Sequence, residues 1–226
     1  MDREQIRIRG YEPDDRDEVY RICLQTANNG GDGTAIFRDP RLPGDVYAVP
    51  YAIFEPSLTL IAENAGGVGA YIVATLDSQE FGRRLERDWW PAMRARHPEP
   101  PPDLARGLSV QERTALSNIH HCWKPAQNVP SGYPSHLHIN LLPPLQGRGV
   151  GRRLIAALLA RLREEGSPGA HLATGLANLR AAGFYQHLGF TELAASDMHM
   201  FAMDLRRRRP PELRPEDEAV TTFAEA

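Results

Sequence analysis

Residues 134–166 read PSHLHINLLPPLQGRGVGRRLIAALLARLREEG. From Ser135 to Leu142, Leu137, Ile139 and Leu141 alternate with His136, His138 and Asn140. A period of two predicts a strand with one apolar face. Pro143 and Pro144 have no amide to give to a ladder, so the strand stops there. Gln146-Gly147-Arg148-Gly149-Val150-Gly151 follows. After it, Leu154, Ile155, Leu158 and Leu162 recur at the spacing of an amphipathic helix, which Gly166 ends. The order is therefore strand, stop, glycine-rich loop, helix.

Such a loop is an anion site in physical terms. The first amides of a helix lack an intrahelical acceptor, and the helix dipole is positive there. Glycines let backbone come close to a phosphate, and Arg148, Arg152 and Arg153 add charge. The bland alternative is a helix start that uses glycine only for a tight turn. A nucleoside-triphosphate loop is excluded because no Lys-Ser or Lys-Thr follows the last glycine. A dinucleotide fold expects an acidic residue about 20 positions on, at the end of a second strand. The next short strand candidate, Ala170 to Thr174, ends without one.

Gln146-x-x-Gly149-x-Gly151 resembles the pyrophosphate-binding signature of the GNAT acetyltransferases. Asn178-x-x-Ala181-x-x-Phe184-Tyr185-x-x-Leu188-Gly189-Phe190 is similar to the second half of that signature. Resemblance extends over about Ile6 to Leu205. Asp17 to Cys23, Asp88 to Met93 and Tyr133 to Leu137 look like the acetyltransferase-like C-terminal domain of eukaryotic O-GlcNAcase, here with an intact phosphate loop. The resemblance implies a free-standing domain that binds acetyl-CoA as co-substrate and moves its acetyl group directly to an amine, small or peptidic. The alternative from another class is a CoA-binding or protein- or peptide-binding domain without turnover.

The implied fold is α/β: a mixed, mostly antiparallel sheet of about seven strands with helices on both faces. In the family the fourth and fifth strands part at a bulge, and pantetheine pairs with free backbone of the fourth strand. The cofactor residues implied are Leu141, Leu142, Pro143, Gln146, Gly147, Arg148, Gly149, Val150, Gly151, Arg152, Asn178, Ala181, Phe184 and Tyr185. Tyr185 matches the position that protonates or hydrogen-bonds the departing thiolate. A backbone N–H near Leu142, before Pro143, is expected to meet the oxyanion. His136 and His138 share a strand face, and one is a candidate to relay the nucleophile's proton. The alternative is a pair of buried, hydrogen-bonded histidines.

Working outward, Gln5 to Gly10 reads as a first strand, and Pro13-Asp14-Asp15 starts a helix with Val19, Ile22, Cys23 and Thr26 inward. Cys23 reads as core rather than nucleophile. Asn28 to Pro43 reads as irregular, and Gly44 to Phe54 as a short helix broken at Pro50. Asp32, Asp39, Asp45, Glu55, Tyr47 and Tyr51 are candidates to line an amine pocket, against the plainer reading of a solvated loop with packed aromatics. Ser57 to Glu63 and Val68 to Leu76 read as a hairpin. Residues 79–130 read as a helical insertion near the mouth of the site, with one helix over Phe81 to Arg96, a stiff linker from His97 to Pro102 and a capping box at Ser109. Trp89, Trp90 and Trp123 offer the alternative of a homodimer surface. Phe190 to Leu193 and Met198 to Leu205 read as closing strands, and residues 206–226 as a disordered tail.

The 226 residues, 42% apolar and 24% charged, have a net charge of −3. These values suit one soluble globular domain and give no reason to expect nucleic acid. Cys23 and Cys122 make no disulfide framework, and His120, His121 and Cys122 with His136 and His138 fit no common zinc spacing. The charged start MDREQIRIRG and the lack of an apolar run of about 20 residues predict no signal peptide, no membrane span and a cytoplasmic protein.

Overall fold

The computed structural model describes residues 6–121, 129–195 and 197–207. Among the described residues seven strands form one sheet: β1 (Arg7–Gly10), β2 (Thr59–Asn64), β3 (Gly67–Thr75), β4 (Ser135–Leu141), β5 (Gly169–Gly175), β6 (Thr191–Leu193) and β7 (Met198–Asp204). Their order is β1-β2-β3-β4-β5-β7-β6, and every neighbouring pair is antiparallel except β4 and β5.

Alternation along the strands divides the interior into two layers. Ala70, Ile72 and Ala74 of β3 join Leu137 of β4 and Phe201 and Met203 of β7 on one face. Helices α8 (Val150–Glu164) and α9 (Leu179–His187) cover that face, with Val150, Leu154, Ile155, Leu158, Leu159 and Leu162 inward. Each such side chain taken from water contributes roughly 1.5–3 kcal/mol, which is why the apolar stripe read from sequence settles where α8 lies. Tyr71 and Val73 face the other way. There they meet α1 (Arg16–Leu24), α2 (Leu42–Tyr47), α3 (Val49–Phe54), α4 (Ser78–Asp88), α5 (Trp90–Arg96) and α7 (Val110–His120). A short α6 (Pro102–Ala105) lies between α5 and α7.

Two expected helices are each broken in two, for one reason. Proline is tolerated in a helix's first turn, where its missing N–H is not needed, but not further in. Pro50 and Pro91 both take the second position of a new helix. The breaks therefore fall earlier, at Ala48 and Trp89. The expected break at Pro50 is thus displaced by two residues, and the single helix expected over Phe81 to Arg96 becomes α4 and α5. Ser109 caps α7 by accepting from the Glu112 amide at 2.9 Å.

The described part of the insertion is core rather than appendage. Phe81, Leu85, Trp90, Ala115 and Ile119 pack with Val19 and Ile22 of α1. Trp90 is buried and Trp89 donates its indole N–H to the Asp45 carbonyl, so Trp90 offers no dimer surface. Trp123, Cys122 and residues 208–226 lie outside the described residues. No helix among the described residues is long and apolar enough to cross a membrane.

Candidate functional site

The site begins where β4 and β5 part. They pair only at Ser135 with Ala170 and His136 with His171. Beyond His136, β4 remains paired with β3 in unbroken register, from Thr75 opposite His136 to Ala70 opposite Leu141. The expected bulge in β4 is therefore not present. The irregularity lies between Ala62 and Glu63, in the β2–β3 pair. Divergence alone opens the gap.

The ladder also separates the amides near Leu142. The Leu142 amide donates to the Gly69 carbonyl at 2.9 Å. In an antiparallel pair, residues bonded to the partner alternate with residues whose amides turn away. Counting back from Leu142, the amides of Leu141 and Ile139 point away from β3, toward the gap. Of the amides at this strand end, that of Leu141 faces the gap and that of Leu142 does not. The Leu141 carbonyl accepts from Gln146 Nε2 at 2.7 Å, which pins the glycine loop to the strand end.

A cavity of about 610 Å³ runs from this gap along the start of α8. Leu141, Gln146, Gly147, Gly149, Val150, Gly151 and Arg152 line it, and Asn178, Ala181, Phe184 and Tyr185 face them from α9 and its cap. Leu142, Pro143 and Arg148 do not. Arg153 turns inward, donating to the Ile6 carbonyl at 3.3 Å, so its charge is not presented to the cavity. Sequence reasoning missed Asn140, Arg180 and His187 on the wall. The alternation that placed Asn140 beside His138 was the available signal for the first. Arg180 sits in the first turn of α9 and gave none.

Gly149 caps α8 with φ of 78°, a left-handed conformation that costs a side-chain-bearing residue about 1–2 kcal/mol. Gly151 is needed for closeness: a Cβ there would stand 3.0 Å from the Phe184 ring. The lining residues hold no carboxylate, and Arg152 and Arg180 are both present. An elongated ligand with an anionic end at α8 and amide groups to pair along β4 fits this wall.

Tyr185 closes the far end, packed with Phe184, Phe190 and Phe201 at centroid distances of 5.4–5.8 Å. Burial pushes its phenol above the usual value, so it stays protonated at neutral pH. Asn178 Oδ1 accepts from the Ala181 amide at 3.2 Å, a cap that sets the start of α9.

A second, smaller cavity of about 160 Å³ lies at the β4–β5 junction, under α2, α3 and α7. His136 and His138 line it, with Tyr47, Tyr51, Asn118 and His171. Hydrogen bonds decide the tautomers. Ser78 Oγ donates its one proton to the Pro134 carbonyl at 2.6 Å. His136 Nδ1, 2.6 Å from the same oxygen, must then be the donor to it. That leaves His136 Nε2 to accept from the Tyr51 hydroxyl at 2.6 Å. The Tyr51 oxygen accepts in turn from His138 Nε2–H at 3.2 Å, and His138 Nδ1 keeps a lone pair. The chain is therefore ordered from His138 through Tyr51 to His136 and Ser78.

Burial first, and the neighbouring His138 and His171 second, hold His136 well below the usual imidazole range. His138 is brought down to about 4 by burial and then by His171. His171, whose Nδ1 donates to the Tyr133 carbonyl at 2.7 Å, is lowered mainly by burial. The sign follows. An imidazole kept neutral when folded takes up protons in the unfolded chain below its ordinary value of 6.5. Its stabilisation is complete above that pH and is lost as pH falls toward 4. His138 alone accounts for on the order of 3 kcal/mol across that window. Thermal unfolding of His138→Gln is expected to lose several degrees less than the wild type between pH 6.5 and 4.5. Parallel curves would show that His138 is not desolvated.

The acids expected beside Tyr47 and Tyr51 do not line either cavity. Asp45 is fully buried, held by the Tyr20 hydroxyl at 2.5 Å and His97 Nε2 at 2.8 Å. Asp39 lies 3.5 Å from His97 Nδ1, and Asp32 is exposed, capping its own turn through Thr34. Glu55 is half-buried near Arg84. Cys23 is buried and its thiol is pushed up to about 12, as a core cysteine should be. His120 bonds the His97 carbonyl and His121 bonds Glu99.

Known proteins share this arrangement. Residues 121–190 match the family model described as Acetyltransferase (GNAT) family. The chain is 26% identical over 187 residues to Protein O-GlcNAcase of Rattus norvegicus, covering 83% of this chain but 20% of that protein. The crystal structure of SsHAT superposes with a TM-score of 0.79 and 34% identity, over 89% of this chain and 98% of that one. A Salmonella typhimurium protein, yncA, solved with acetyl-CoA, shares the fold at a TM-score of 0.52 and 14% identity, over 92% and 98% of the two chains.

Proposed function

The chain belongs to the GNAT acetyltransferase family, and from that premise we propose that it transfers an acetyl group from acetyl-CoA to a primary amine. The observation that carries this is the parting of β4 and β5 next to the glycine-capped start of α8, with a continuous cavity between them. GNAT acetyltransferases use acetyl-CoA, and the wall suits it. Amides at the start of α8, with Arg152 and Arg180 nearby, would hold the pyrophosphate, and the Ile139 and Leu141 backbone would pair with the pantetheine arm.

Bound there, acetyl-CoA supplies an electrophilic carbonyl and a thiolate leaving group. The chain's own groups do the rest. The Leu141 amide donates to the carbonyl oxygen as negative charge builds on it; one such donor is worth about 3 kcal/mol in acyl transfer. The Tyr185 hydroxyl, which burial keeps protonated, hydrogen-bonds the sulfur as charge builds on it. His138 Nδ1, as the neutral acceptor at the end of the Tyr51–His136 chain, takes the proton released by the amine.

The test is a broad panel of alkyl, aryl and peptide amines with acetyl-CoA, read as free thiol and as acetylated product. Product from any amine, lost in a chain whose acetyl-CoA binding is destroyed, supports the transferase. Tight acetyl-CoA binding with no product across the panel would leave instead the binding domain without turnover, as the O-GlcNAcase likeness allows.

A further inference from the structure

Resting on the transferase reading, we propose that the acceptor is a weakly basic amine on a single flat apolar ring, taken as the free base into the smaller cavity at the β4–β5 junction. Size comes first. The cavity holds about 160 Å³, and a dry protein cavity of about 150 Å³ accepts benzene. Apart from Asn118 its lining is apolar or aromatic, with Val46, Trp90, Met198 and Met200 among it. A folded peptide or a long polyamine has no room there.

Charge comes second. Among the described residues the lining includes no Asp, Glu, Lys or Arg. The two nearby buried acids are engaged elsewhere: Asp45 by Tyr20 and His97, and Glu112 by the Arg38 amide at 3.1 Å. An ammonium entering this space would lose its water at a cost of several kcal/mol. Stacking on Tyr47 or Trp90 returns about 2 kcal/mol. Exclusion wins, so the amine must enter uncharged. Arylamines and arylhydrazines are already uncharged at neutral pH, and alkylamines are not.

Third, the base in the wall matches. His138 Nδ1 has the lone pair, and its ring is held near 4. An imidazole that weak cannot strip an alkylammonium of pKa about 10. It can take the far more acidic proton that appears once a weakly basic nitrogen has attacked. The nitrogen lone pair forms the C–N bond, and the C–S bond breaks with its electrons on sulfur. The amine proton goes to His138, and the thiolate, hydrogen-bonded by Tyr185, leaves and takes its proton from water. Water then takes the proton from His138.

The experiment uses the full chain at saturating acetyl-CoA with four amines of similar size: aniline and phenylhydrazine against benzylamine and cyclohexylamine. The first pair is expected to exceed the second in kcat/KM by on the order of 100-fold. A second arm uses Met200→Glu, which places a carboxylate on a partly exposed part of the wall. That variant should bind acetyl-CoA as the wild type does and narrow the ratio at least tenfold. Equal or reversed preference in the wild type, or a ratio untouched by Met200→Glu, overturns the acceptor class and leaves the transferase standing. No product from any of the four also overturns it, and the broad panel then decides the transferase separately.

Discussion

Replacing Gly149 with aspartate is expected to raise the dissociation constant for acetyl-CoA by at least about 100-fold. Two effects add. Gly149 sits at φ of 78° as the cap of α8, where an L side chain is strained by about 1–2 kcal/mol. The new carboxylate also lies on the cavity wall where the pyrophosphate would be held. Like charges about 4 Å apart repel by about 4 kcal/mol at an effective dielectric of 20, which is the larger effect. Asparagine has the same shape, tolerates the left-handed region and carries no charge. Gly149→Asn is therefore expected to stay within about tenfold of the wild type. Calorimetric titration of the three proteins separates the causes, with unfolding temperature as the control for strain. Wild-type affinity in the aspartate variant would place the cofactor somewhere other than the start of α8.

Tyr185→Phe is expected to keep the fold and the acetyl-CoA affinity and to lower turnover at least tenfold, toward the 100-fold typical of a lost general acid. The ring makes the packing contacts with Phe184, Phe190 and Phe201, and phenylalanine keeps them. Only the hydroxyl goes. Because burial raises its pKa, Tyr185 holds its proton across the neutral range and keeps a hydroxyl to hydrogen-bond the thiolate as it leaves. Single-turnover kinetics must first show that chemistry limits the rate. If it does and the variant turns over as fast as the wild type, Tyr185 is packing and nothing more.

Much of this protein was legible in 33 residues of sequence. Alternation in Ser135 to Leu142 gave β4 and its two faces, two prolines ended it, and helical spacing with a glycine start gave α8. These are local signals: each depends on residues within a turn or a strand of one another. Of the motif residues that the family resemblance supplied, Gln146, Gly149, Gly151, Asn178, Ala181, Phe184 and Tyr185 line one cavity. What lay at long range was not legible. Tyr51 reaches His136 across 85 positions, Ser78 reaches it across 58, and Asp45 is claimed by His97 across 52. No local pattern encodes such partners, and so Asp45, read as part of a pocket lining, is an interior anchor. The Leu142 amide is spent on Gly69 and the Leu141 amide faces the gap, since register with β3, not position before a proline, decides which donors turn outward. Sequence alone determined β4, α8 and the glycine turn between them. Tertiary packing decided which of their polar groups remain available for chemistry, because burial and pairing are properties of neighbours in space.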